Sequence, residues 1–163
     1  LTLLTLRMVF SIPVYLFIAY RLRHQPGYLR LTRRQLLEVA GLGLMGYYAA
    51  SLLDFLGLQY VTASVERLIL FVYPTIVLAV SAVSFGKKIH RVQVIALVLT
   101  YAGIALAFLD DIDPQLQSNL PLGAALIFSS ALAYALYLVG AGEVLPRVGS
   151  ARFTCYAMLA AAA

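Results

Sequence analysis

Leu68-Ile-Leu-Phe-Val-Tyr-Pro-Thr-Ile-Val-Leu-Ala-Val-Ser-Ala-Val-Ser-Phe-Gly86 runs for 19 residues without an Asp, Glu, Lys or Arg. About 20 apolar residues in helix span the roughly 30 Å hydrocarbon core of a bilayer. Val92 to Leu109 and Leu120 to Gly142 repeat the feature over 18 and 23 residues. Composition agrees, with 63% of the 163 residues hydrophobic and 12% charged, where an ordinary soluble domain has about a quarter charged. The sequence therefore predicts an all-α fold, a polytopic transmembrane helical bundle.

Outward from that stretch, six spans are expected. They are 1–20, carrying Arg7 and Pro13; 36–56, with Glu38 near its start and Asp54 near its end; 63–85, entered through Glu66 and Arg67; 92–109; 120–142; and 152–163, which the sequence leaves incomplete. The chain begins at Leu1 rather than Met and stops inside an apolar run, as a fragment would. Lys and Arg accumulate on cytoplasmic connections of membrane proteins. Ten of the twelve basic residues fall in the first, third and fifth connections: Arg21, Arg23, Arg30, Arg33 and Arg34, then Lys87, Lys88 and Arg91, then Arg147 and Arg152. The alternate connections carry none, and one holds Asp110, Asp111 and Asp113. Leu1 is then external.

Other classes fail on the same residues. The net charge of +5 sits between apolar spans rather than on a polar face, so nucleic acid is not the partner. One cysteine, Cys155, supplies neither a disulfide nor a metal spacing and reads as a small apolar helix residue. His24 and His90 stand in basic connections, and no H-E-x-x-H or G-x-S-x-G occurs. Gly41-Leu-Gly-Leu-Met-Gly46 matches G-x-G-x-x-G but lies inside a span, without the strand that dinucleotide binding needs. It reads as close helix packing, as do Gly46 with Ala50, Gly103 with Ala107, and Ala131 with Ala135. The three aspartates read as a solvated external connection, with weak divalent-cation binding as the alternative. Neither a cofactor nor a metal is expected.

Four charged residues remain within or at the edge of spans: Arg7, Asp54, Glu66 and Arg67. Counted from the cytoplasmic boundary, the first three stand at heights of roughly 20, 27 and 30 Å, all in the outer third. A charge at the bilayer centre costs about 3 kcal/mol even on lenient insertion scales, so retained charges face partners or water. Two readings of the cluster stand. One is an outward-facing gate or binding site, with Glu66 or Asp54 exchanging a proton; the other is a structural ion-pair network or plain interfacial exposure. Pro13 and Pro74 each free a backbone carbonyl, those of Val9 and Leu70, which gives either hinges or static bends. Tyr73 beside Pro74, with Tyr47, Tyr48, Tyr60, Tyr101, Tyr134 and Tyr137, either lines a cavity or anchors the interface in a chain without Trp.

Gly57 to Phe108 resembles the EamA-type domain of the drug/metabolite transporter superfamily. The likeness rests on Leu58-Gln-Tyr-Val-Thr-Ala-Ser64 entering a helix, Tyr73-Pro74-Thr75 interrupting it, Phe85-Gly86 closing it, and Tyr101-Ala-Gly-Ile-Ala105 in the next. Leu122-Gly-Ala-Ala and Ala131-Leu-Ala-Tyr-Ala-Leu-Tyr137 look like the opening helix of that family's second repeat. The resemblance implies part of a ten-helix fold of two inverted five-helix repeats. Residues 1–111 would be the first repeat without its first helix, and 112–163 the start of the second. An odd number of helices per repeat necessarily inverts the second copy. Glu66-Arg67 followed by Leu-Ile-Leu-Phe71 looks like the pattern of one bacterial branch. Lys87 departs from the Glu that many members place after the Gly closing helix four, so the role of that acid does not carry over.

The expected function is transport of a small metabolite, an amino-acid-like or other small polar or amphipathic solute, across the inner membrane by alternating access, with proton coupling. Arg7, Asp54, Glu66, Arg67, Tyr73 and Pro74 are the expected pathway or gating residues, and the partners are the small-molecule substrate and the lipid bilayer. The alternatives are a membrane-embedded enzyme on lipid-linked substrates and a non-transporting assembly subunit.

Overall fold

The computed structural model describes residues 2–24, 31–108 and 118–162. Among them the regular structure is entirely helical, with no strand. We number six helices in chain order: α1, Thr2–Arg23; α2, Arg33–Gly57; α3, in two segments, Ala63–Leu70 and Tyr73–Phe85; α4, Arg91–Phe108; α5, Leu120–Val148; and α6, Ser150–Ala162. Arg33–Gly57, Ala63–Phe85 and Leu120–Val148 are long and apolar enough to cross a membrane, while Phe10–Leu22 and Arg91–Ala107 are shorter apolar stretches.

The helix ends follow from local chemistry. Thr32 caps α2: the Gln35 N–H donates to Thr32 Oγ1 at 3.3 Å, and the Thr32 N–H to Gln35 Oε1 at 3.0 Å. Two orphan donors are satisfied reciprocally. Arg34 and Glu38 pair at 3.0 Å one turn apart, so Glu38 belongs to a surface ion pair and not to the interior of a span. Asn119 opens α5, its Oδ1 accepting from the Leu122 N–H at 3.2 Å. Gly149, with φ +87°, is the single residue between α5 and α6, a backbone conformation that other residues adopt at a cost.

Three features differ from the sequence-based expectation. The fifth helix does not stop at Gly142 but continues to Val148 with Pro146 inside it; Glu143 and Arg147 end the apolar stretch without disfavouring helix. Charge marks the membrane boundary and not the helix end. The third span is not one helix bent at Pro74. The chain leaves the helix at Phe71 and Val72, and Pro74 stands in the first turn of the second segment, where a missing N–H costs nothing. The Val72 carbonyl there accepts from the N–H groups of Thr75 and Ile76 at 3.0 and 3.2 Å. In α2, Leu44–Ala49 forms a π-helical turn, which the residue pattern does not announce. Pro13, by contrast, sits within a continuous α1.

The chain divides into two compact units, Leu1–Leu52 with Tyr137–Ala163 and Leu53–Leu136. In the first, α6 packs against α1 and the first part of α2. Phe153, Cys155 and Ala157 are buried there, and the Cys155 thiol donates to the Tyr15 carbonyl at 3.1 Å. The cysteine thus fills a helix contact. A Cβ on Gly43 would lie 2.3 Å from the Ala157 carbonyl oxygen, so this part of the G-x-G-x-x-G run admits a neighbouring helix backbone. In the second unit, Val61, Val65 and Ile127 form the core, with Ile69 and Leu70 against it. Gly103, in contrast, faces open space, so its small-residue pairing with Ala107 does not bring helices together among the described residues.

Val83 and Leu106 are 87% and 86% exposed, and none of the apolar window of Ala63–Phe85 is buried. Apolar surface of that extent is stable only against lipid or other apolar surface, while the helical backbone bonds within each segment.

Candidate functional site

The second unit gathers three of the six expected site residues. Asp54 lies in the last turn of α2, and the backbone then turns through Gly57, whose carbonyl accepts from the Tyr60 N–H at 2.9 Å. Thr62 opens α3, its carbonyl accepting from the Glu66 N–H at 2.9 Å. This short connection places Glu66 one helical turn into α3, where the helix dipole favours an anion. Its side chain is within hydrogen-bonding reach of Asp54, and Glu66 Oε2 pairs with Arg67 Nε at 3.4 Å. Glu66 is buried, while 60% of the Arg67 side chain is exposed. Asp54, Glu66 and Arg67 therefore form a carboxyl–carboxyl–guanidinium group whose Glu66 is buried and whose cation is largely exposed.

Tyr73 and Pro74 stand elsewhere in this unit, at the break in α3. The Tyr73 ring meets Tyr134 of α5 edge-on, with centroids 5.2 Å apart at 81°, an aromatic arrangement favoured by the ring quadrupoles. Just beyond, the Thr75 and Tyr101 hydroxyl groups hydrogen-bond to each other. The Thr75 contact escaped the sequence reading because its partner is 26 positions away. Arg7 falls within α1, and its side chain lies outside the described residues. Asp110, Asp111 and Asp113 also lie outside them. No group of three or more His, Cys, Asp or Glu among the described residues could hold a metal ion.

In the first unit, the π-helical turn of α2 carries Tyr47, whose hydroxyl accepts from the Tyr137 hydroxyl at 2.9 Å. The two rings are 5.2 Å apart, and Tyr137 also contacts Phe153 at 6.1 Å. These tyrosines make interior polar contacts and are not only surface anchors. π-Helical turns recur at functional positions in helices.

Long apolar helices that leave their apolar side chains exposed are the features of an integral membrane protein. The chain belongs to the EamA-like transporter family, whose model matches residues 1–109. It is also similar to the uncharacterized transporter YcbK of Bacillus subtilis (strain 168), with 31% identity over 159 residues, covering 96% of this chain and 50% of the relative. The chain thus spans about half the length of the curated relative it matches. No solved structure matches it.

Proposed function

We propose that the complete protein moves a small polar or amphipathic metabolite, such as an amino-acid-like solute, across the inner membrane by alternating access. In this reading residues 1–111 belong to a first five-helix repeat and 112–163 begin an inverted second one. The substrate then sits near the midplane between repeats. Membership of a transporter family supports transport. The group formed by Asp54, Glu66 and Arg67 supports the placement of a gate on it, because ionisable residues retained at membrane depth mark pathways and proton relays.

Each residue has a defined part. Arg7 attracts an anionic group of the solute. Glu66 or Asp54 takes up and releases a proton as the site closes and opens, and Arg67 holds the charge balance while the proton is away. Tyr73 and Pro74, at the break in α3, form the pathway wall and the joint about which the second segment moves.

The observation that carries this reading is the burial of Glu66 beside both an acid and a base. Its test is a solute screen with the complete protein in proteoliposomes, followed by Glu66→Gln and Asp54→Asn. The expected result is loss of flux together with its pH dependence. Flux and pH dependence that both survive the pair of substitutions contradict proton coupling through these carboxyls.

A further inference from the structure

The break in α3 releases backbone oxygens inside a membrane-length stretch. In a continuous α-helix each carbonyl accepts from the N–H four residues further on. At the break the Val72 N–H goes to the Ile69 carbonyl at 3.1 Å and not to that of Leu68, and the Thr75 N–H goes to Val72 at 3.0 Å and not to Phe71. Leu70 loses its donor as well, because position 74 is proline. Three carbonyls, those of Leu68, Leu70 and Phe71, therefore lack the N–H that an α-helix would give them. Their depth makes the loss matter. Phe71 is eight residues from Ala63 and 14 from Phe85, about 12 and 21 Å along the helix, where no bulk water replaces a missing donor.

Hydroxyl groups stand on the same face. Phe71 and Val72 keep right-handed backbone angles, φ −64° with ψ 0° and φ −70° with ψ −20°, so the helical phase carries across the break and positions 68, 71 and 75 share a face. The Thr75 hydroxyl there is hydrogen-bonded to the Tyr101 hydroxyl of α4, a helix that packs against the first segment of α3. The end of that first segment adds the negative pole of its dipole. All of these oxygens are neutral. No Asp or Glu occurs from Leu68 to Leu109, and the nearest acid along the chain, Glu66, is paired with Arg67. Uncharged carbonyl and hydroxyl oxygens suit a monovalent cation, whereas protein sites for divalent ions are built on carboxylates. Unwound carbonyls and half-helix C-termini are general means of holding Na⁺ in carriers with discontinuous helices. We propose that the break in α3 binds an alkali cation, Na⁺, through the Leu68 and Phe71 carbonyls and the Thr75 and Tyr101 hydroxyls, with the Leu70 carbonyl beside them. This site is separate from proton uptake at Glu66 or Asp54, and it is read by binding rather than flux, so either can fail alone.

The test uses the complete protein in neutral detergent, with thermal unfolding followed in NaCl, methylammonium chloride or choline chloride at one ionic strength, and with binding of radioactive Na⁺ measured directly. NaCl is expected to raise the unfolding temperature above that in choline chloride, and the labelled ion to remain bound. Thr75→Val and Tyr101→Phe each remove one oxygen and keep most of the side chain, and each should weaken Na⁺ binding about tenfold, the lower end of what losing a supporting group costs a metal site. The two lie on different helices, so one reports if the other folds poorly. Equal unfolding temperatures in NaCl and choline chloride, with no Na⁺ retained, overturn the proposal. So does unchanged Na⁺ binding in either folded variant, which would place the ion elsewhere. Stabilisation by methylammonium and not by Na⁺ would also overturn it, and would assign the carbonyls to an amine group of the solute.

Discussion

The ring of Tyr137 occupies the space in which a side chain on Gly46 would begin. A Cβ built on Gly46 would lie 2.2 Å from Tyr137 Cγ, so the two helices meet through an absent side chain. The π-helical turn Leu44–Ala49 surrounds this contact, and its neighbour Tyr47 receives the Tyr137 hydroxyl bond. Gly46→Ala is therefore expected to destabilise the protein by about 1–3 kcal/mol, the cost of overpacking. Gly103, in open space, is the control: Gly103→Ala should be neutral or stabilise by up to about 1 kcal/mol. Thermal unfolding followed with a thiol-reactive dye reads both, since Cys155 is buried until the helices part.

Removing either hydroxyl of the Tyr47–Tyr137 pair leaves the packing of the rings in place. Tyr47→Phe and Tyr137→Phe should each cost about 1 kcal/mol, with a coupling of about 0.5–1.5 kcal/mol in the double-mutant cycle. A coupling of zero would mean that the 2.9 Å contact contributes nothing to stability.

Arg67 is the exposed partner of a buried acid. Arg67→Ala should therefore cost about 1–3 kcal/mol, more than a surface pair, because it leaves Glu66 in an apolar setting without its cation. Combining it with Glu66→Gln should recover part of that loss. Unfolding temperatures of the two single variants and the double variant decide it, and strictly additive losses would show that the pair does not interact.

At Gly149, any side chain meets an unfavourable backbone conformation rather than a neighbour, since nothing lies within 4 Å of its Cβ position while φ is +87°. Gly149→Ala is expected to lose about 1–2 kcal/mol, read in the same unfolding assay. An unchanged unfolding temperature would show that the one-residue turn between α5 and α6 relaxes at no cost.

The helices were legible in the sequence because membrane length imposes charge-free stretches such as Leu68–Gly86, and hydrocarbon forces their backbones into helix. Their ends were less so. Glu143 and Arg147 end the apolar run but are accommodated in helix to Val148, and the break at Phe71 and Val72 precedes the proline that signals it. Among the site residues, Asp54, Glu66 and Arg67 were readable as neighbours, since all three are charged, similar in depth and joined by a short turn. The Tyr47–Tyr137 pair and the π-helical turn were not. The pair joins positions 90 residues apart, and such tertiary meetings leave no local periodicity.

The helices of this protein are expected to cross the bilayer in alternating directions with the basic connections inside. Labelling of single cysteines in the complete protein by a membrane-impermeant maleimide tests it most directly, with Lys88→Cys and Asn119→Cys as the two reporters and buried Cys155 giving little background. In intact cells Asn119→Cys should be labelled and Lys88→Cys only after permeabilisation. Labelling of both positions from the same side would contradict the account.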